Sequence, residues 1–134
     1  MAANTDFGSD LSCTLDLDPR CVVVTGRRLL AEAIVRRWIT PRGGLIDDPN
    51  YGTDVTAYLN DDVTPRDIAA LQTAMSQEAE KDERVNSCDI SIAIPPHGTG
   101  VYTITAQIHD NDGPFTLVVS VDTISKDIQL LSVT

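Results

Sequence analysis

Arg36-Arg37-Trp38-Ile39-Thr40-Pro41-Arg42-Gly43-Gly44-Leu45, followed closely by Pro49-Asn50-Tyr51-Gly52, is the stretch on which the reading of this chain turns. An amphipathic helix runs into a hard stop. Proline lacks the N–H that a helix needs, and it biases the preceding Thr40 toward extended backbone angles. Gly43 and Gly44 permit angles that other residues avoid. The stretch predicts a rigid elbow between a helix and a loop. It holds no nucleophile, metal cluster or phosphate cradle.

Upstream, Thr25 is the expected N-cap of that helix, its hydroxyl accepting from an orphan backbone N–H. Leu30, Ala33, Ile34 and Trp38 fall on one apolar stripe, and Trp38 is read as core. Arg28, Glu32 and Arg36 lie four apart on another face, where acid–base pairs add about 0.2–0.5 kcal/mol each. Earlier still, Leu11, Cys13, Leu15 and Leu17 alternate with polar residues. They predict a strand over 11–17, a turn at Asp18-Pro19-Arg20 and a second strand over 21–24, together a hairpin. Residues 1–10 read as a flexible arm without the basic start and apolar run of a signal peptide. Residues 11–134 read as a single domain.

Downstream, residues 43–62 are loop-rich, with one helical turn expected around Asp54 to Leu59. Thr64-Pro65-Arg66-Asp67 starts a second helix: Thr at the cap, Pro at the first helical position, an acid soon after. Ile68, Leu71 and Met75 form its buried stripe, and it is expected to fray over Gln77 to Asp82. The remainder alternates with period two. Cys88, Ile90, Ile92 and Ile94 form one strand, then a turn at Pro95-Pro96-His97-Gly98. Tyr102, Ile104, Ala106 and Ile108 form the next, and Asp110-Asn111-Asp112-Gly113 is a hairpin turn. Phe115, Leu117, Val119 and Val121 follow. Ile128 and Leu130 on one side, with Leu131 and Val133 on the other, give a last strand. Helices followed by an antiparallel meander predict an α+β fold: two main helices packed on a mostly antiparallel sheet, with the N-terminal hairpin or arm attached.

The bulk numbers agree with a globular chain. It has 134 residues, 42% of them apolar, and a net charge of -10. That charge argues against nucleic acid, whose phosphates need clustered Lys and Arg, and against anionic membranes. No segment has the length of a membrane span. The charge is uneven: five Arg and one Glu from Gly26 to Arg42, then five Asp and no Lys or Arg from Gly43 to Pro65. Three cysteines, Cys13, Cys21 and Cys88, make an odd count without ligand spacing. They are expected to be reduced thiols in a reducing cytosol.

Catalytic readings find little support in the spacing. Asp47-Asp48, Asp61-Asp62 and Asp82-Glu83 are neighbouring acids, but glycosidases need two carboxylates facing across a cleft at about 5–9 Å. His97 and His109 lack a second ligand at metal spacing. Gly98-Thr99-Gly100 has no lysine and joins two strands, so it is no phosphate loop. Ser91 and Ser120 lie on strands without nucleophile-elbow glycines.

Gly26-Arg27-Arg28-Leu29-Leu30, Ala33-Ile34, Arg37 through Leu45 and Tyr51-Gly52 together resemble the small baseplate wedge proteins, or sheath initiators, of contractile phage tails. Related proteins serve type VI secretion and extracellular injection systems, and members have also been described as lysozyme-like. The order helix, elbow, short Pro-x-Tyr-Gly segment, second helix and sheet covers residues 20–134. The family carries a Glu-Pro-Arg motif after its second helix that binds the core bundle of neighbouring wedge subunits. The matching position here reads Asp82-Glu83-Arg84, so the acid is shortened, the proline is missing and Arg84 is kept. The resemblance implies a structural protein without enzymatic activity or cofactor. It would surround the tail tube in six copies and template the first sheath ring, in a virion baseplate or a cytoplasmic injection-system baseplate. Its partners would be wedge subunits, the sheath protein and the tail tube. Asp82, Glu83 and Arg84 would face the wedge. The last strand, with Ile128, Leu130, Leu131 and Val133, would offer an edge to the sheath, whose subunits link by exchanged strands. The alternatives are a small hydrolase using loop carboxylates and a generic intracellular binding domain.

Overall fold

The computed structural model describes residues 7–13, 16–59, 63–95, 100–125 and 127–134. The element order is β1 (Ser9–Leu11), β2 (Val23–Thr25), α1 (Gly26–Ile39), α2 (Val55–Tyr58), α3 (Pro65–Glu80), β3 (Ser87–Ala93), β4 (Val101–Asp110), β5 (Gly113–Asp122) and β6 (Asp127–Val133). β3 to β6 form a four-stranded antiparallel sheet in chain order, and β1 and β2 form a separate two-stranded ribbon. The fold is α+β, with α1 and α3 packed on the four-stranded sheet.

The meander follows from alternation. Tyr102, Ile104, Ala106 and Ile108 of β4 are buried, as are Phe115, Leu117, Val119 and Val121 of β5. Their registers match: Ile104 faces Val119, Ala106 faces Leu117 and Ile108 faces Phe115. Leu30, Ile34, Val35 and Trp38 of α1 meet Leu71 and Met75 of α3 over this face, all within one core cluster. Trp38 is 1% exposed, and its indole N–H donates to the Met75 carbonyl at 3.0 Å, which satisfies its polar atom inside the core. Among the described residues no helix is long and apolar enough to cross a membrane.

α3 starts as expected. The Thr64 hydroxyl accepts from the Asp67 N–H, the Asp67 carboxylate accepts from the Thr64 N–H, and Pro65 fills the first position. α1 differs, because Thr25 is its N-cap by backbone angle yet makes no side-chain cap bond.

The expected N-terminal hairpin forms, but not over residues 11–17 and 21–24. Ser9 pairs with Thr25, Asp10 with Val24 and Leu11 with Val23. Beyond Leu11 there is one isolated bridge, Cys13 to Leu17. Thr14 and Leu15 of the expected strand lie outside the described residues. The alternation misleads here because its described leucines are not buried on a sheet face: Leu11 is 38% exposed and Leu17 46%. Local polar bonds win instead. Asp18 N–H donates to the Ser12 carbonyl, and the Asp18 carboxylate accepts from Arg20. Of the arm expected over residues 1–10, the described part belongs to the fold, since Phe7 is buried in the core and Ser9 and Asp10 pair in β1.

β6 also departs from strict alternation. Its register shifts opposite Val118 and Val119, so Leu117 faces Val133 while Val119 faces Leu130. Leu131 is the extra residue, and a bulge of this kind moves everything beyond it to the other face. Val133 therefore packs on the core with Leu130, and Leu131 is left 54% exposed.

Candidate functional site

The site is built where the elbow meets the end of α3. α1 stops at Ile39, and Thr40 turns extended at φ -77, ψ 126, as Pro41 demands. The loop then folds back over the helix end and uses its open carbonyls. Thr53 N–H donates to Arg37 C=O and Asp54 N–H to Thr40 C=O, both at 3.1 Å. The return is so close that a Cβ on Gly52 would lie 2.1 Å from the Thr40 oxygen, and φ at Gly52 is +104.

This close return brings the elbow's charges onto one carboxylate. Glu78 is fully buried. Its Oε1 accepts from Gly52 N–H at 2.8 Å and from Arg37 at 3.3 Å. Its Oε2 meets Lys81 Nζ at 2.8 Å and Arg42 at 3.5 Å. Lys81 also donates to Asn50 C=O at 2.7 Å, and the Arg37 guanidinium lies 4.6 Å over the Tyr51 ring. Arg37, Arg42, Tyr51 and Gly52 of the opening motif thus converge on Glu78. Burial pushes its carboxyl upward, but the bonds from Lys81 and Gly52 and the nearby positive charges outweigh it and hold it below the usual range.

One turn on, Asp82 and Arg84 bind each other. Arg84 Nε donates to Asp82 Oδ1 at 2.8 Å and Nη2 to Oδ2 at 2.6 Å, a bidentate fork, while the Arg84 N–H donates to the same Oδ1 at 3.0 Å. Arg84 Nη1 donates to Phe7 C=O at 3.4 Å and ties the N-terminal segment down. Burial works to raise the Asp82 carboxyl, and the Arg84 bonds overcome it and lower it; those same bonds raise Arg84. A shallow cleft of about 450 Å³ lies here, lined by Phe7, Arg37, Lys81, Asp82, Glu83 and Arg84. Its three cations are each paired within the chain, Arg37 and Lys81 with Glu78 and Arg84 with Asp82.

The expected site residues are therefore arranged as follows. Asp82 is buried, Arg84 half-buried and Glu83 exposed. The Arg84 fork is already occupied within the chain. On β6, Ile128 is 3% exposed and Leu130 and Val133 pack on the core, so of the four residues named there Leu131 alone presents its side chain outward. Asp61, Asp62 and His97 lie outside the described residues. Asp47 and Asp48 are exposed, and Ser91 and Ser120 lie within β3 and β5. Among the described residues no group of three His, Cys, Asp or Glu side chains gathers to hold a metal ion.

The expected fraying over Gln77 to Asp82 is corrected: Glu78 and Ala79 are fully buried. The signal was present, because Glu78 continues the spacing of Ile68, Leu71 and Met75 along the α3 stripe. Glu32, expected with Arg28 and Arg36 on a face apart from the apolar stripe, is 1% exposed. Neither a protein-family model nor a curated protein matches this chain.

The Asp82–Arg84 fork makes a measurable claim. Arg84→Ala removes the partner of a buried carboxylate and the tie to Phe7. Because Arg84 keeps 26% side-chain exposure, water recovers part of the loss. The expected cost is about 1–2 kcal/mol in urea unfolding. A cost indistinguishable from zero would mean the fork contributes nothing to the fold.

Proposed function

We propose that this chain is a structural subunit of a contractile-tail or injection-machine baseplate, one that surrounds the tube and templates the first sheath ring. The sequence resemblance supplies the reading, and one structural observation carries it furthest: the two edges of the main sheet are unlike. On β3, both backbone groups of Cys88 are engaged by α3, its C=O by the Ser76 hydroxyl and its N–H by the Glu80 carboxylate. On β6, among the described residues, no strand pairs the outer side. An unpaired strand edge takes up another strand through backbone hydrogen bonds. Leu131 stands exposed on that strand and offers an apolar contact. At the opposite end of the reading, the cleft at Asp82, Glu83 and Arg84 is where wedge subunits would dock.

Among the described residues the hydrolase alternative gains no observation of its own. A general acid at neutral pH needs a raised carboxyl, whereas the displaced buried carboxyls, Glu78 and Asp82, are both lowered.

Charging the edge tests the proposal. Gln129 and Leu131 are exposed, so Gln129→Lys with Leu131→Lys should leave the fold within about 0.5 kcal/mol per site. Lysines on an edge strand repel an arriving strand. The expected result is a folded protein that enters baseplates bearing tube without sheath, seen by electron microscopy. Sheaths of normal length would overturn the edge role, and failure to co-purify with any tube-and-sheath particle would overturn the baseplate reading.

A further inference from the structure

We propose that the groove between α1, the loop after β1 and the β6 edge is a receptor for a cationic side chain, a lysine or arginine on an extended partner segment laid beside β6. The direction of approach rests on the edge-strand reading above; the receptor itself rests on the groove.

The groove encloses about 620 Å³, and Glu32 lies in its lining. Glu32 Oε1 accepts from the Ser12 hydroxyl at 2.8 Å and faces Arg28 Nε at 3.4 Å. Oε2 is buried and, among the described residues, has no hydrogen-bond partner. A buried carboxylate oxygen left without a donor is costly and needs an explanation. The lining adds Asp16, Asp18 and Asp127, so among the described residues four carboxylates stand against the guanidiniums of Arg20 and Arg28. Arg20 is already committed to Asp18, at 3.2 and 3.1 Å. The unbalanced charge is negative, in a chain whose net charge is -10. This excludes phosphate and nucleic acid as occupants. Among the described residues no three such side chains gather for a metal ion, and the groove's acids and apolar walls together suit an organic cation.

The remaining walls favour an amino-acid side chain. Leu17 and Ile128 also line the groove, and an aliphatic stem can lie along them while its charged head reaches the acids. Arg28 is 47% exposed and touches Glu32 through one long contact, so it can swing into water as the arriving cation replaces it. Asp127 and Gln129 place the groove directly beside β6. A strand pairing there could deliver a lysine or arginine to Glu32.

The test titrates the full chain, by NMR, with the peptide acetyl-Val-Thr-Lys-Thr-Val-amide and with its norleucine analogue, which has a similar stem and no charge. The lysine peptide is expected to shift Ser12, Glu32 and Ile128 and to bind at least tenfold more tightly than the norleucine peptide. Glu32→Gln keeps the shape and should abolish that preference. Equal affinity for the two peptides, no binding of the lysine peptide, or a preference that survives Glu32→Gln overturns the receptor. If Glu32→Gln does not fold, Asp16→Asn with Asp127→Asn reads the same effect from the rim: a preference reduced at least threefold supports the receptor, and an unchanged one overturns it. The amides of residues 130–133, outside the groove lining, report separately on strand addition. Shifts at Ser12, Glu32 and Ile128 without change along 130–133 keep the receptor and remove the edge-strand reading.

Discussion

Gly52→Ala is expected to destabilise the fold by about 3–5 kcal/mol, among the largest costs a single methyl group can impose. Two effects combine. The backbone sits at φ +104, where an L side chain is strained. The added Cβ would also meet backbone rather than a movable side chain: 2.1 Å from the Thr40 oxygen and 2.9 Å from its carbon. Thr40 cannot retreat easily. Its N–H and hydroxyl both donate to Arg36 C=O, at 3.1 and 2.6 Å, and its own carbonyl accepts from Asp54. Nor can Gly52 move alone, since its N–H holds Glu78 at 2.8 Å. Thermal unfolding should fall by roughly 10–20 °C. Gly43→Ala separates the two effects. That residue also has positive φ, +84, but nothing lies within 4 Å of its Cβ position. It should cost about 1–2 kcal/mol, from strain alone. Equal losses at the two positions would show that the close return onto Thr40 is not what the glycine serves.

The same residues show how far the fold could be read from sequence, and where reading stopped. Period-two runs at Tyr102 to Ile108 and Phe115 to Val121 were legible because each strand buries one face on the helices. Thr64-Pro65-Arg66-Asp67 was legible because a capping box is local chemistry. The Leu11 to Leu17 alternation looked alike, but its described leucines, Leu11 and Leu17, stay exposed, and no property of the segment itself reveals that. The bulge at Leu131 was hidden for a related reason: an extra residue changes the pairing without changing the composition. The elbow was visible as Pro41, Gly43 and Gly44, yet its purpose was not. Arg37 and Arg42 reach Glu78 across 41 and 36 positions of sequence. A contact of that range leaves no periodic trace. What could be seen was a carboxylate on the apolar stripe of α3, and buried acids are rarely found without partners. The candidate partner site was less legible still. The Asp82-Glu83-Arg84 motif could be located, but that Arg84 is spent on Asp82 and Phe7 depends on the turn after α3.

Glu78→Gln should cost about 2–3 kcal/mol at pH 7, and the difference should shrink in acid. Glutamine can still accept from Gly52 N–H. It loses the charge, however, and turns an NH₂ toward Lys81 and Arg42, so donors face donors. Those two cations are 40% and 57% exposed and can turn to water, which limits their share. Arg37, at 19% exposure and stacked on Tyr51, has less freedom and is left facing a neutral group. The pH dependence follows from the direction of the shift. Glu78 is lowered from the ordinary 4.5 in the folded chain. Its ionised form is therefore favoured by folding, so its contribution is complete above about pH 4.5 and is lost as pH falls through the lower folded value. Asp82, lowered from 3.8, acts in the same sense at somewhat more acid pH and does so in both proteins. Urea unfolding at pH 7 and at pH 3 should show the wild type losing more stability than Glu78→Gln over that interval. A gap between the two proteins that stays constant across it would mean that Glu78 stabilises the elbow by shape and hydrogen bonding, and that the convergence of Arg37, Arg42 and Lys81 on its charge contributes nothing.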